Sequence, residues 1–458
     1  MREIDCDLVV VGAGVAGWVA ACRARELGLD VAIVEADEEY VSGGNGRLSG
    51  GWFHAAYRSP DWAPDKLREE VLRITENTAD AEVVDAWTCN VGRAYRYLGT
   101  LGARFGPIPE AALHYQQNVL QPSTYGVEMG RRWRTGAPYA LFEAAHRRFS
   151  AADGRFVGGF RGTELIEVAS SVRGIVSSTG AAIRARAVLL CDGGFQGNPE
   201  LVARHITNCY TLRGSASDRG DALTMATAVG AAVTDLAPFY GHLLSRDSVT
   251  NDLLWPEPAL AQLLERGIIV GSDGRRFIDE QLGDVLAANQ LAWSSQAGSS
   301  WCVVTEPTWA RNGTIGRFPP NPTLEAHGAT IIRARDAPEL SAALGMPLDA
   351  LLTSVARLPI AEVPSGLVAI PVIAGITFAM GGIHVDGGGR VRSSRDGVIG
   401  GLYAAGGAMG GLQGGPSAGY AGGWSEAATF GLLAAESVAV DLGQHPVAAA
   451  QTAHASER

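Results

Sequence analysis

Gly12-Ala13-Gly14-Val15-Ala16-Gly17 spells a G-x-G-x-x-G turn, and Glu35 follows about 20 residues later, with Ala36 beside it. This spacing serves the binding of a dinucleotide. The first glycine makes a tight turn, the second lets backbone approach a pyrophosphate, and the third lets a helix pack close to its strand. The pyrophosphate would lie at a helix N-terminus, where free N–H groups and the helix dipole favour an anion. Glu35 would accept hydrogen bonds from ribose hydroxyls and would disfavour a 2′-phosphate, hence NADP. By itself the motif does not choose between NAD and FAD.

The elements that must position this turn are legible around it. Asp5–Val11 is a mostly apolar run, as in a buried parallel strand. Trp18–Leu27 is helical, Gly28 ends the helix, and Val31–Val34 is a second apolar strand. Strand, turn, helix and strand within about 30 residues satisfy a βαβ unit. Residues 65–105 carry helical spacing, and 137–150 form another helix. Short strands are expected near 155–160, 164–169 and 173–177. Ala185–Leu190 is a buried strand running into Cys191-Asp192-Gly193-Gly194, and Asp221–Val229 is a helix. Across 236–371 prolines and tryptophans gather and the periodicity breaks, so this stretch reads as an inserted lobe. Gly382–Val385 and Leu402–Ala405 are expected to return to the first sheet, and Glu426–Val440 to close it as a helix. The expected fold is α/β. A Rossmann-like domain (1–235 and 372–442) carries an inserted α+β capping domain (236–371) and a short tail (443–458).

The chain has 458 residues, 47% of them apolar, enough for a large core and more than one lobe. Its 59 glycines cluster near 43–51, 193–197 and 381–423 without a three-residue period. Such clusters mark backbone that approaches something closely or takes positive φ. The net charge is −11 and no long Lys/Arg run occurs, which argues against a nucleic-acid partner. Lys66 is the only lysine, a poor basis for Schiff-base chemistry. Cys6, Cys22, Cys89, Cys191, Cys209 and Cys302 share no C-x-x-C spacing. Neither a metal site, nor haem attachment, nor a disulfide framework is therefore expected. No apolar run reaches the ~18–20 residues of a spanning helix. The first strand begins without a leader pattern, so a cytoplasmic protein without a membrane span is expected.

The glycine clusters carry a resemblance. They include Gly43-Gly44-Asn45 with Ser49-Gly50-Gly51, Cys191-Asp192-Gly193-Gly194-Phe195-Gln196-Gly197, and Gly220-Asp221. Gly274-Arg275-Arg276-Phe277-Ile278-Asp279-Glu280, Gly375-Ile376-Thr377-Phe378, Gly381-Gly382-Ile383 and Gly401-Leu402-Tyr403-Ala404-Ala405-Gly406 continue the pattern. Together they resemble the fumarate reductase/succinate dehydrogenase flavoprotein family over nearly the full length. The resemblance implies FAD, with Asp192, Gly193 and Asp221 among its contacts and the active site between FAD domain and mobile cap. The segment with Gly406, Gly407, Gly422, Trp424 and Ser425 would bring a helix N-terminus to the pyrimidine side of the ring. N–H groups there stabilise the anionic reduced flavin. No histidine lies between 1 and 53, so non-covalent FAD is expected.

Dicarboxylate-reducing members of that family hold substrate with two histidines and several arginines, one of which delivers the proton. His242, in Phe239-Tyr240-Gly241-His242, matches one histidine. Gln413 stands in place of the other, and no arginine lies in 414–426 or between Phe277 and Trp309. Two carboxylates would then be poorly paired in a desolvated cleft, which argues against fumarate or succinate. Ser417-Ala418-Gly419-Tyr420-Ala421-Gly422-Gly423 instead resembles the Tyr-x-Gly segment of 3-ketosteroid Δ1-dehydrogenases and relatives acting on cyclic ketones. In those enzymes a tyrosine hydroxyl and a backbone N–H grip the ketone oxygen, a base takes the α-proton, and the β-hydride passes to the flavin. The resemblance implies Tyr420 and Gly423 as that grip, with His242 and Tyr240 as further catalytic candidates. Tyr115 and Tyr125 are other possible proton acceptors. Gly375–Phe378 resembles tricarballylate-dehydrogenase-like members, where Arg131, Arg132 and Arg134 could anchor an acid.

The expected function is FAD-dependent α,β-dehydrogenation of a small-molecule carbonyl substrate, a small or cyclic ketone. Alternatives are enone or enoate reduction, a carboxylic-acid dehydrogenase, and a flavoprotein without catalysis. The electron acceptor is unknown, with oxygen, a quinone or another protein as the choices. Each tyrosine also has a plain role in packing, and His242 one as a satisfied polar residue.

Overall fold

The computed structural model describes residues 4–40, 44–107, 118–121, 136–254, 260–312, 321–359 and 361–444. β1 (Ile4–Val11) pairs in parallel with β2 (Val31–Val34) on one side and with the Ala182–Leu190 strand on the other. They are the centre of an eight-stranded sheet. Val398–Ala404 extends it beside Ala182–Leu190, and Arg155–Val157 lies outside β2. α1 (Val15–Glu26) is buried around most of its circumference, as an apolar helix covered on several sides must be. It crosses the Gly423–Asp441 helix so closely that a Cβ on Gly431 would lie 2.6 Å from Ala16 O. Glu436 on that last helix accepts from Arg23 of α1 at 2.9 Å and from Arg93 at 2.8 Å, clamping three helices.

The helical run expected over 65–105 is two helices, Pro64–Ile74 and Ala81–Thr100. Glu76 and Asn77, both at positive φ, break it. Asp80 starts the second helix by accepting from the N–H groups of Glu82 and Val83, a side-chain N-cap.

A second, six-stranded sheet builds the inserted lobe around one long strand, Leu367–Ala379. That strand pairs with Phe239–Ser245, Trp301–Thr305, Ile332–Ala334 and Tyr210–Leu212. The boundary expected between 371 and 372 therefore falls inside a continuous strand. The strand carries Pro371 opposite Trp301. Ile383–His384 does not return to the first sheet and pairs with Met409–Gly410 instead. The segment is bonded instead to residues 232–234, His384 N–H donating to Ala232 O at 2.9 Å and Thr234 N–H to Gly382 O at 3.0 Å, while a Cβ on Gly381 would lie 1.8 Å from Asp235 O. Among the described residues, no helix is long and apolar enough to cross a membrane.

Candidate active site

The glycine turn shows which of its members the fold needs. Gly12 takes a φ of +99°, and a Cβ there would lie 2.6 Å from Cys191 O. At Gly17 a Cβ would lie 2.0 Å from Gly12 O. Both are closed to a side chain by the protein's own backbone. Gly14 differs. Its φ of −78° and ψ of −168° suit any residue, and a Cβ would come no nearer to the protein than 4.0 Å, at Cys191 O. The open space above Gly14, beside the first turn at Val15 and Ala16, fits a pyrophosphate. Glu35, followed by Ala36, stands at the end of β2. It accepts from Ala13 N–H at 2.8 Å and from Asp37 N–H at 3.3 Å, and burial raises its carboxyl pKa.

A second group of expected cofactor residues is tied together across long sequence distances. Gly44 and Asn45 lie on a short helix, Gly44–Leu48. Asn45 donates to Thr377 O at 2.9 Å and accepts from Ser215 N–H at 2.6 Å. The Trp424 indole donates to Ser49 Oγ at 2.6 Å, and Ser425 Oγ donates to Gly422 O. Gly51, just after Gly50, takes a φ of +70° against Leu120. Gly406 packs on Ala16, and Gly407 approaches Gly194, so the second and third glycine clusters meet. Gly193 rests against the Asp218 carboxyl, 2.7 Å from where its Cβ would be. Burial raises the Asp192 carboxyl to about 8 and the Asp218 carboxyl to about 7. Asp192 Oδ1 and Gln196 Oε1 are buried without a hydrogen-bond partner, as expected of polar atoms left for a ligand. Gly43 lies outside the described residues. Asp221, expected at the cofactor, makes a two-point ion pair with Arg161 at 2.6 and 2.7 Å. Its carboxylate is engaged by the protein.

The catalytic candidates converge in an aromatic cluster. Gly423 N–H, at the start of the Gly423–Asp441 helix, donates to the Tyr420 hydroxyl at 3.0 Å. Burial, and secondarily the neighbouring Tyr240, raise the Tyr420 pKa, so the hydroxyl stays protonated at neutral pH. Phe378 packs 5.3 Å from Tyr240, and His54 meets Tyr420 edge-on at 5.2 Å. Tyr57 stacks on His54 at 4.7 Å. The His54 ring accepts from Tyr57 N–H through Nδ1, and burial pushes its pKa down to about 4. It is therefore a neutral group. Ala56 and Tyr57 both take positive φ beside it, a strained pair next to the candidate site.

Tyr240 and His242 lie on the Phe239–Ser245 strand with Tyr240 OH 3.2 Å from His242 Nε2. His242 Nδ1 is bonded to Asp284 Oδ2, and Asp284 Oδ1 accepts from Leu243 N–H at 3.1 Å. Sequence reasoning missed both Asp284 and His54. Neither sits in a recognisable motif, and only the folded chain brings Asp284 to His242.

Gln413 serves the fold at its position. It donates to Glu426 Oε2 at 2.8 Å and accepts from Ala421 N–H at 3.1 Å, bracing the segment that carries Tyr420. Burial raises the Glu426 carboxyl pKa, and its Oε1 has no partner. A cavity of about 870 Å³ opens elsewhere, in the inserted lobe near Arg266, Arg276 and Arg357, and none of Tyr240, His242 or Tyr420 lines it. Tyr115, Tyr125, Arg131, Arg132 and Arg134 lie outside the described residues. Among the described residues, no three His, Cys, Asp or Glu side chains could hold a metal ion.

The family described as FAD binding domain matches residues 7–421. The chain is similar to a fumarate reductase (cytochrome) of Shewanella frigidimarina, 26% identical over 94% of this chain and 77% of that protein. It is also similar to a 4-oxocyclohexanecarboxylate 2-dehydrogenase of Sinomonas cyclohexanicum, 24% identical over 91% and 89%. Its fold is similar to a solved 3-ketosteroid-Δ4-(5α)-dehydrogenase of Rhodococcus jostii, with a TM-score of 0.74 and 20% identity over 96% of this chain and 98% of that one. The residues around the glycine turn and the second and third glycine clusters, which meet there, fit the cofactor that this family binds. The chain belongs to the FAD binding domain family, and it is an FAD-dependent oxidoreductase.

Proposed function

We propose that this protein removes two hydrogens from the α- and β-carbons of a saturated ketone, small or cyclic, using non-covalently held FAD. The observation that carries this reading is the Tyr420 hydroxyl 3.0 Å from Gly423 N–H at a helix N-terminus. A ketone oxygen facing the hydroxyl would accept from the Tyr420 O–H, whose own oxygen is held by Gly423 N–H. Such preorganised donors stabilise the charge that grows on oxygen as an enolate forms. Tyr420 suits the task because its raised pKa keeps it a donor. Tyr240, stacked on Tyr420, would take the α-proton. Bound FAD supplies the acceptor for the β-hydride. The Gly12–Gly17 turn and Glu35 would hold its adenosine half, and Asn45, Ser49, Gly407 and Trp424 would frame its ring.

Phe378, His54, Tyr57 and the two tyrosines make a wall suited to a flat, apolar substrate with one polar handle. Asp284 behind His242 leaves that pair without net positive charge when the ring is protonated, a poor anchor for a carboxylate. The names of the Sinomonas relative and the Rhodococcus fold neighbour point to cyclic ketones as well. The inserted lobe brings Tyr240 to the site and acts as the cap. Enone reduction would use the same groups in reverse. The test is an anaerobic titration of the flavin-loaded protein with cyclohexanone, a saturated 3-ketosteroid, succinate and tricarballylate. Ketones should bleach the flavin. Bleaching by the carboxylates alone would overturn the reading.

A further inference from the structure

We infer that Asp284 and His242 form a proton relay behind Tyr240, so that Tyr240 accepts the substrate's α-proton while handing its own proton to His242. This rests on the ketone reading above. A protonated phenol cannot accept a second proton unless its own leaves. The geometry supplies the outlet: Tyr240 OH lies 3.2 Å from His242 Nε2. Which ring nitrogen carries the proton follows from the other end. Nδ1 is bonded to the Asp284 carboxylate, so the proton of the neutral ring sits on Nδ1 and Nε2 presents its lone pair to Tyr240. Asp284 is held in turn by Leu243 N–H at 3.1 Å and stands in the first turn of the Asp284–Trp293 helix, which fixes its direction.

The bonds balance. The α-C–H bond breaks and its electron pair enters the enolate, whose oxygen accepts from the Tyr420 hydroxyl. An O–H bond forms on Tyr240 as the original O–H breaks, and an N–H bond forms at His242 Nε2. The imidazolium is then paired with the Asp284 carboxylate. His242 and Asp284 keep side-chain exposures of 18% and 11%, a narrow route for the proton to reach water. Neither residue touches the substrate. Both act through Tyr240 as positioning residues, and a purely structural ion pair would give no reason for Nε2 to face a phenol stacked on Tyr420.

The test uses the full-length, FAD-loaded protein reduced beforehand with dithionite, where net dehydrogenation cannot occur. Deuterium uptake at the α-carbons of cyclohexanone and of a saturated 3-ketosteroid is followed in D2O. Wild-type protein should catalyse exchange. Asp284→Asn, which keeps an acceptor for Leu243 N–H, and His242→Gln should lower the rate at least about tenfold at unchanged FAD content. His242→Gly should lose exchange and recover it with added imidazole. In the ketone-free protein, 15N spectra should show His242 protonated at Nδ1 and a changed tautomer in Asp284→Asn. Exchange that persists unchanged in the variants, or that imidazole fails to restore, overturns the relay while leaving the ketone reading standing. No exchange by the wild-type protein with either ketone overturns both.

Discussion

The rings of Tyr240 and Tyr420 stack with centroids 4.0 Å apart and planes 27° from parallel. Tyr240 comes from the sheet of the inserted lobe and Tyr420 from the segment that enters the Gly423–Asp441 helix. The contact therefore joins the two lobes at the proposed site. It also gives the two hydroxyls separate partners, Gly423 N–H for one and His242 for the other.

Tyr420→Phe keeps the stacked ring and removes only the hydroxyl. FAD content should stay unchanged, while kcat for ketone dehydrogenation falls roughly 10²–10³-fold, the usual effect of losing one donor to a developing oxyanion. Steady-state kinetics at saturating ketone will check this.

Gly12→Ala and Gly14→Ala should separate folding from cofactor binding. Gly12→Ala forces a Cβ against Cys191 O at 2.6 Å in a positive-φ position and should prevent stable folding. Gly14→Ala meets no protein atom nearer than 4.0 Å, so the chain should fold with unchanged circular dichroism. Its FAD affinity should fall at least about tenfold because the methyl enters the pyrophosphate path. Titration of apoprotein with FAD measures the loss.

Asn45→Ala deletes both hydrogen bonds that tie the 44–48 helix to Ser215 and Thr377. The two backbone groups lose their partner, at a cost of about 1–3 kcal/mol. A lower urea midpoint at unchanged slope is the expected result.

Asp218 should give stability a distinct pH dependence. Its folded pKa of about 7 lies above the ordinary 3.8, so the native state holds a proton that the unfolded chain has released between those values. Stability from this group is complete below pH 3.8 and is lost as pH rises to 7. Asp218→Asn removes that loss. Its advantage over wild type should grow from pH 4 to 7 and then level off, reaching at most about 4 kcal/mol. His54 acts with the opposite sign, costing stability as pH falls from 6.5 towards 4. Denaturant titrations at several pH values will show both slopes.

The βαβ unit was legible because its signals are local. Gly17 and Glu35 are fixed by Gly12 and Ala13 within one strand–helix–strand passage, and the last helix is a long apolar run. The Tyr420 segment was legible through its motif, with Gly423 three residues on. What escaped depends on contacts distant in sequence. Asp221 reads like a cofactor contact until Arg161 is seen beside it. Gln413 reads like a lost substrate ligand until Glu426 and Ala421 N–H take its amide. Asp284 reaches His242 only when a helix of the inserted lobe packs on the Phe239–Ser245 strand. The long strand through Pro371 hid for a similar reason, because some of its pairing partners lie 164 residues away, at Thr211 opposite Gly375 and Leu212 opposite Ile376, with Tyr210 opposite Ala374.

Anaerobic stopped-flow reduction of the bound flavin should compare wild type and Tyr420→Phe with cyclohexanone, a saturated 3-ketosteroid and succinate at one pH. If Tyr420, held by Gly423 N–H, grips a ketone oxygen, at least one ketone bleaches the wild-type flavin, bleaching slows roughly 100-fold or more in the variant, and succinate bleaches neither. Bleaching by succinate alone, or equal ketone rates in the two proteins, would contradict it.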